Sequence, residues 1–169
     1  MLNLSLREVA RATVPVRGEV SADDPMWQGA GVDFATPVAV DLQAQAVGDG
    51  VLVRGNLHAI VNLECRRCLA TVSREIGDEI TLLFDELPEG EEEEESGEIY
   101  PLPARGDELD LSEAIREQVL LRIPLHTLCR TECRGLCSMC GADLNVTTCN
   151  CEREPAPSAW DALKDLELD

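Results

Sequence analysis

Aromatic side chains are scarce in this 169-residue chain: Trp27, Phe34, Phe84, Tyr100 and Trp160 make up only 3% of it. A core built almost without them must come from Val, Leu, Ile and Ala. At 44% hydrophobic content the chain has enough of these to exclude a wholly disordered polymer. Basic residues are also few, with 14 Lys and Arg against 33 Asp and Glu and a formal charge of −19. Such a field repels nucleic acid and anionic membranes and attracts basic partners. No run of about 18 apolar residues occurs, so no membrane-spanning helix is expected. The opening MLNLSLREVARATVPV lacks the basic start and apolar stretch of a secretory signal. A cytoplasmic location is therefore the expectation, and in a reducing compartment stable disulfides are uncommon. Eight cysteines must then be read as metal ligands or redox groups.

Hydrophobic alternation carries the fold reading. VPVRGEV (14–20) is short and strand-like. In PVAVDLQAQA, Val38, Val40, Leu42, Ala44 and Ala46 share one face, and Gly48-Asp49-Gly50 supplies a turn. The next run sets Val51, Val53, Leu57, Ala59, Val61 and Leu63 against Arg54, Asn56, His58, Asn62 and Glu64, with Ile60 as the exception. That period predicts an antiparallel hairpin buried on one side. A third strand region passes through Ala70 and Val72 and resumes from Glu79 to Phe84. Residues 85–98 hold nine carboxylates and no base, a composition expected to stay solvated and mobile. DLSEAIREQVLLRIP (110–124) predicts a helix capped by Asp110 or Ser112, with Leu111, Ile115, Val119 and Leu120 as its apolar face and Pro124 beyond its end. SAWDALKDLEL (158–168) predicts a second, short helix that must dock to persist.

The expected class is α+β: an antiparallel, partly barrel-like sheet with one or two helices and a C-terminal, zinc-stapled, zinc-ribbon-like module. Its parts are a sheet domain over 1–124, with acidic loop 85–99 and helix 110–123, a cysteine-rich module over 125–157, and a terminal helix over 158–169.

The cysteines fall in pairs: Cys65 with Cys68, Cys129 with Cys133, Cys137 with Cys140, and Cys149 with Cys151. Two-residue spacing lets one tight turn present two sulfurs to one tetrahedral zinc ion, so eight cysteines suffice for two ions. Between Leu125 and Pro157 the large apolar residues are only Leu125, Leu128, Leu136, Met139, Leu144 and Val146, too few to order the segment by burial. Two groupings fit the spacing. In one, Cys137, Cys140, Cys149 and Cys151 form a local site, while Cys65, Cys68, Cys129 and Cys133 staple the sheet to the segment after the helix. In the other, Cys129 or Cys133 joins Cys137, Cys140 and Cys151, leaving Cys65 and Cys68 free. His126 reads as a connector residue, and His58, on a polar strand face, receives no role. A thiol redox reading also stands, because Arg66, Arg67, Arg130 and Arg134 adjoin cysteines and positive neighbours lower a thiol pKa. The same charges would offset zinc-bound thiolates. Thioredoxin-like enzymes place CxxC at a helix N-terminus, whereas here it ends a strand.

Three segments, LECRRCLATV (63–72), DLSEAIREQVLLRIPLHTLC (110–129) and CRGLCSMCGADLN (133–145), together resemble the YceD family of large ribosomal RNA subunit accumulation proteins. The resemblance spans roughly residues 35–150, with Cys149 and Cys151 outside its CxGLCxxCG core. It implies a non-enzymatic role in the accumulation of large-subunit 23S rRNA. The charge must be squared with that role, because attraction of basic side chains to phosphates dominates nucleic-acid affinity. Two routes follow: binding of a basic ribosomal protein or large-subunit precursor, or direct rRNA contact through local positive charge at the metal. Five of the thirteen arginines, Arg66, Arg67, Arg130, Arg134 and Arg153, lie within two positions of a cysteine and would serve the second route.

Overall fold

Two long strands form the spine of the molecule, whose computed structural model describes residues 2–86 and 99–151. Strand β4 (Val38–Val47) turns tightly into β5 (Gly50–Glu64), with Val47 opposite Gly50. Strand β5 then pairs antiparallel along its length with β6 (Thr71–Asp85), from Glu64 opposite Thr71 to Val51 opposite Phe84. Strand β2 (Val14–Val20) covers the other edge of β4. Because β5 outruns β4, the two-residue β3 (Asp33–Phe34) continues pairing on that edge. The remaining strands are β1 (Asn3–Ser5), β7 (Ile99–Pro101) and β8 (Glu108–Asp110). β1 pairs with β8 in a separate ribbon, and β7 lies on β6.

The alternation read from sequence selects the buried face. Val38, Val40, Leu42 and Ala44 of β4 join Val51, Val53, Leu57, Ala59 and Val61 of β5 and Ile76, Ile80, Leu82 and Phe84 of β6. Burying each of the Val, Leu, Ile and Phe side chains contributes roughly 2 kcal/mol, and the two alanines less. The pattern fades at strand ends, where Ala46 is exposed and Leu63 half-buried. Ile60, the odd residue, has its carbonyl and amide engaged by Ala35, Thr36 and the Thr36 hydroxyl. Helix α2 (Ser112–Leu121) lays Ala114, Ile115 and Val119 on the core, with Leu111 fully buried just before it. Arg116 of α2 donates to the carbonyl of Met26 at 2.6 Å, fixing a 3-10 turn at Pro25–Trp27. The single-turn α1 (Leu6–Val9) buries Val9.

Three expectations are corrected. The sheet is open rather than partly barrel-like: β2 and β7 end it on opposite sides and do not pair. A barrel needs a continuous closing ladder. Here β7 offers only three residues, and β2 carries Pro15, which has no N–H to donate. The sheet is also not purely antiparallel, since β7 runs parallel to β6. Finally, the helix starts at Ser112 rather than Asp110, because residues 108–110 are drawn into the ribbon with β1. Asp110 still acts at this end, its carboxylate accepting from the Ser112 N–H at 2.9 Å. The broken third strand is continuous, its polar middle held by the ladder to β5. Most of the acidic run, residues 152–157 of the cysteine-rich module and the terminal helix lie outside the described residues. No helix among the described residues is long and apolar enough to cross a membrane.

Candidate metal centre

The β5–β6 hairpin ends in a turn that begins with Cys65. The Cys65 N–H donates to the Ala70 carbonyl at 2.9 Å, and the Leu69 N–H returns to the Cys65 carbonyl at 2.9 Å. Closing so tight a turn puts Leu69 at φ 62°, a left-handed conformation unusual for a branched side chain. Cys65 and Cys68 thereby face the same way.

The segment after α2 comes to meet them. The Arg66 N–H donates to the Thr127 carbonyl at 2.9 Å, and the Leu136 N–H to the Arg67 carbonyl at 2.9 Å. Arg67 donates to the Cys133 carbonyl at 2.7 Å, and Arg74 to the Leu128 carbonyl at 2.7 Å. These bonds seat Cys129 and Cys133 against the hairpin tip. The Sγ atoms of Cys65, Cys68, Cys129 and Cys133 all lie within 4.8 Å of one another. Cys65 stands 3.8 Å from Cys133 and Cys68 3.6 Å from Cys129.

A second cluster gathers Cys137, Cys140, Cys149 and Cys151, again within 4.8 Å. The described sulfurs therefore take the first of the two groupings weighed above. The spacings suit a metal and not a disulfide. Four thiolates about 2.3 Å from a tetrahedral zinc ion sit roughly 3.8 Å apart, whereas a disulfide bond is about 2.0 Å long.

Electrostatics favour the same use. Amide N–H groups of Cys129 and then Cys68 aim at the Cys65 sulfur and lower its pKa to about 6. Those of Cys140 and Met139 do the same for Cys137, also to about 6. Crowding acts the other way: Cys129 is pushed up to about 12 chiefly by its contact with Cys133, and Cys151 to about 12 by its contact with Cys140. Four thiols so close cannot all ionise unless a cation shares the site.

The apolar residues of this segment do not form a core. Leu125 is 89% exposed, Met139 62% and Val146 85%, while Cys65 and Cys133 are buried.

Among the arginines flagged from sequence, Arg66 contacts the His126 ring at 2.6 Å, and Arg130 donates to the Asn145 carboxamide oxygen at 2.9 Å. With Arg67 they work inside the molecule, although all three and Arg134 are exposed. Arg153 lies outside the described residues. His126 also reaches the Leu125 carbonyl and joins neither sulfur cluster; His58 pairs with Glu75 at 2.9 Å. Sequence reading missed Asn145. Its amide nitrogen reaches the Cys133 sulfur at 3.5 Å, and its oxygen accepts from the Arg134 N–H at 2.8 Å. The Asp143-Leu-Asn145 turn was the available signal, since the Asp143 carboxylate accepts the Asn145 N–H.

Fold and site together define a class: an open, mostly antiparallel sheet whose longest hairpin is tied at its tip to a cysteine-rich segment suited to binding metal. Within it, the model of the YceD family, described as large ribosomal RNA subunit accumulation protein YceD, matches residues 53–167, and the chain belongs to this family. An uncharacterized protein of Mycobacterium tuberculosis is 33% identical over 117 residues, covering 67% of this chain and 54% of that protein. The chloroplastic large ribosomal RNA subunit accumulation protein YCED homolog 1 is 27% identical over 156 residues in Arabidopsis thaliana, covering 78% of this chain and 49% of that protein. The homolog 1 of Zea mays is 29% identical over 150 residues, covering 72% and 51%. The chain thus spans about half the length of the curated relatives it matches. No solved structure matches it significantly.

Proposed function

We propose that this protein is a non-enzymatic, cytoplasmic factor that binds two structural zinc ions and supports accumulation of large-subunit ribosomal RNA by holding a basic ribosomal protein or a large-subunit precursor. The role in ribosomal RNA accumulation follows family membership. The zinc assignment is carried by one observation: two sets of four sulfurs converge in a segment whose large apolar side chains are half-buried or exposed. A structural zinc ion contributes roughly 10–16 kcal/mol to folding, which suits a segment with so little burial. Paired cysteines leave no open coordination position, and this favours a structural over a catalytic ion.

The partner is basic because the chain carries −19. Direct rRNA contact is the second reading, favoured by the exposure of Arg66, Arg67, Arg130 and Arg134. It is weakened by the internal bonds that engage three of them. Thiol redox chemistry ranks third, since Cys65 opens a hairpin turn directly after a strand rather than the first turn of a helix.

Metal analysis of purified protein, combined with affinity capture of large-subunit precursors, tests the proposal. Two zinc ions per chain and capture that survives Arg66→Glu with Arg67→Glu are the expected results. Metal-free, disulfide-linked protein would remove the zinc assignment. Capture abolished by the arginine changes, with the fold intact, would move the function to RNA binding.

A further inference from the structure

Strand β2 ends the large sheet, and β1 is paired only with β8, so each has an edge without a partner strand among the described residues. Between these edges runs an open groove of about 640 Å³, with residues 2–5 on one wall and 14–20 on the other. That volume is in the range of ligand clefts, roughly 300–1,000 Å³.

The backbone register says what the groove wall offers. The two-residue turn makes Val47 and Gly50 a mutually hydrogen-bonded pair. Alternation then points the backbone groups of Ala39, Asp41 and Gln43 toward β5 and those of Val40, Leu42 and Ala44 toward β2. Their partners on β2 are Gly18, Val16 and Val14. Pro15, Arg17 and Glu19 therefore face the groove, and Pro15 sits where its missing N–H costs no ladder bond. Arg17 and Glu19 present their N–H and C=O groups to whatever enters.

Chemistry along the groove is apolar below and acidic at the rim. Leu4, Val16 and Val20 line it as nearly buried side chains. Glu8, Glu19 and Asp24 add negative charge; of the cations, Arg17 in the lining is bound to Asp41 at 2.8 Å, and Arg116 behind it donates to the Met26 carbonyl at 2.6 Å.

We propose that the groove between β1 and β2 takes up an extended peptide of alternating basic and apolar residues, added as a strand to the edge of β2. Strand addition takes its affinity from main-chain hydrogen bonds and its selectivity from alternate side chains. Alternation would set the apolar side chains on the groove floor and the basic ones at the acidic rim. This inference rests on the reading above that the partner is basic, and it assigns that partner's contact to a place far from the sulfur clusters in sequence.

The test uses the full chain and a fluorescein-labelled Lys-Val-Lys-Val-Lys-Val-Lys peptide, read by anisotropy and by amide exchange in NMR. Binding with slowed exchange at Arg17 and Glu19 is expected. Methylating alternate backbone nitrogens of the peptide should weaken binding at least tenfold, as should Glu19→Pro, which removes an outward N–H while sparing the β4 ladder. Should Glu19→Pro disturb β2, Glu8→Lys gives a milder second variant with a several-fold loss. Equal binding of the methylated peptide would mean charge attraction alone and would overturn the proposal. So would unchanged exchange at Arg17 and Glu19, or protection of those amides by a second copy of the chain without peptide. If the peptide fails while the chain still captures large-subunit precursors, the groove assignment falls and the proposed function stands.

Discussion

The two CxxC turns have the same backbone and different surroundings. In Cys65-Arg-Arg-Cys68 and Cys137-Ser-Met-Cys140 the first cysteine's N–H donates to an alanine carbonyl five residues on, at 2.9 and 2.8 Å. In both, the residue after the second cysteine returns its N–H to the first cysteine's carbonyl at 2.9 Å, with φ 62° at Leu69 and 72° at Gly141. The intervening residues share nothing, so cysteine spacing and the turn's own hydrogen bonds set the geometry. What differs is support. The first turn caps a hairpin of two 15-residue strands and meets cysteines more than 60 positions away, with Cys65 and Cys133 buried. The second gathers its four sulfurs from residues 137–151 and leaves Cys140 and Cys151 exposed. One cluster joins distant parts of the fold; the other organises only its own loop.

Breaking each cluster separately should give the largest contrast. Cys65→Ser is expected to release one zinc ion, remove amide protection from residues 126–136 and detach the segment from the hairpin. Cys137→Ser is expected to release one ion while leaving that protection intact. Losing a structural site costs on the order of 10 kcal/mol of metal-coupled folding, so only the affected segment should unfold while the sheet persists. Zinc content with residue-resolved hydrogen exchange would decide this, and simultaneous loss of both segments in either variant would show the clusters to be one cooperative unit.

Chelation should follow the same order more gently. A chelator reaches the exposed sulfurs of Cys140 and Cys151 sooner than the buried Cys65 and Cys133. Zinc release is expected in two phases separated at least tenfold in rate, with Cys137→Ser abolishing the fast phase. A single phase would contradict the difference in support.

Glycine substitutions sharpen the comparison further. A Cβ on Gly135 would lie 2.8 Å from the Arg67 carbonyl oxygen, at φ 76°, where the chain between Cys133 and Cys137 crosses the first turn. Gly135→Ala should therefore cost about 2 kcal/mol or more, combining left-handed strain with a backbone clash. Gly141→Ala meets no neighbouring atom and should cost only about 1 kcal/mol from strain alone. Chemical denaturation of the metal-loaded protein would rank them, and equal costs would mean that the crossing at Gly135 yields easily.

Alternation made the sheet legible because one face of β4, β5 and β6 is buried and the other wet, and period-two patterns report that difference directly. Openness was not legible. Whether β2 and β7 meet depends on strand ends and on a three-residue strand, and neither leaves a periodic trace. The ribbon that shortens the helix is equally quiet in sequence, since Asp110 and Leu111 suit a helix start as well as a strand end. Cysteine spacing pointed to pairs but could not say which pairs converge. That depends on the hairpin tip reaching residues 127–136, through contacts such as Arg67 to Cys133 and Arg74 to Leu128. Asn145 went unread because its value lies in bridging Cys133 to Arg130 and Arg134, a tertiary fact.

The smallest effect, at Leu69, separates geometry from use. Leu69 and Gly141 hold equivalent places, yet only glycine enters the left-handed region without strain, which for other residues costs about 1–2 kcal/mol. The Leu69 side chain is 59% exposed and recovers little of that cost by burial. Leu69→Gly relieves the strain but gives the unfolded chain more freedom, worth about 0.4–1 kcal/mol the other way. The net expectation is a stabilisation of about 0.5 kcal/mol, with zinc content unchanged, measured by denaturation under saturating metal. If Leu69→Gly instead destabilises the protein, the leucine packs more tightly than its exposure indicates. If it stabilises the protein yet weakens capture of large-subunit precursors, the strained leucine is a contact made for a partner at the hairpin tip.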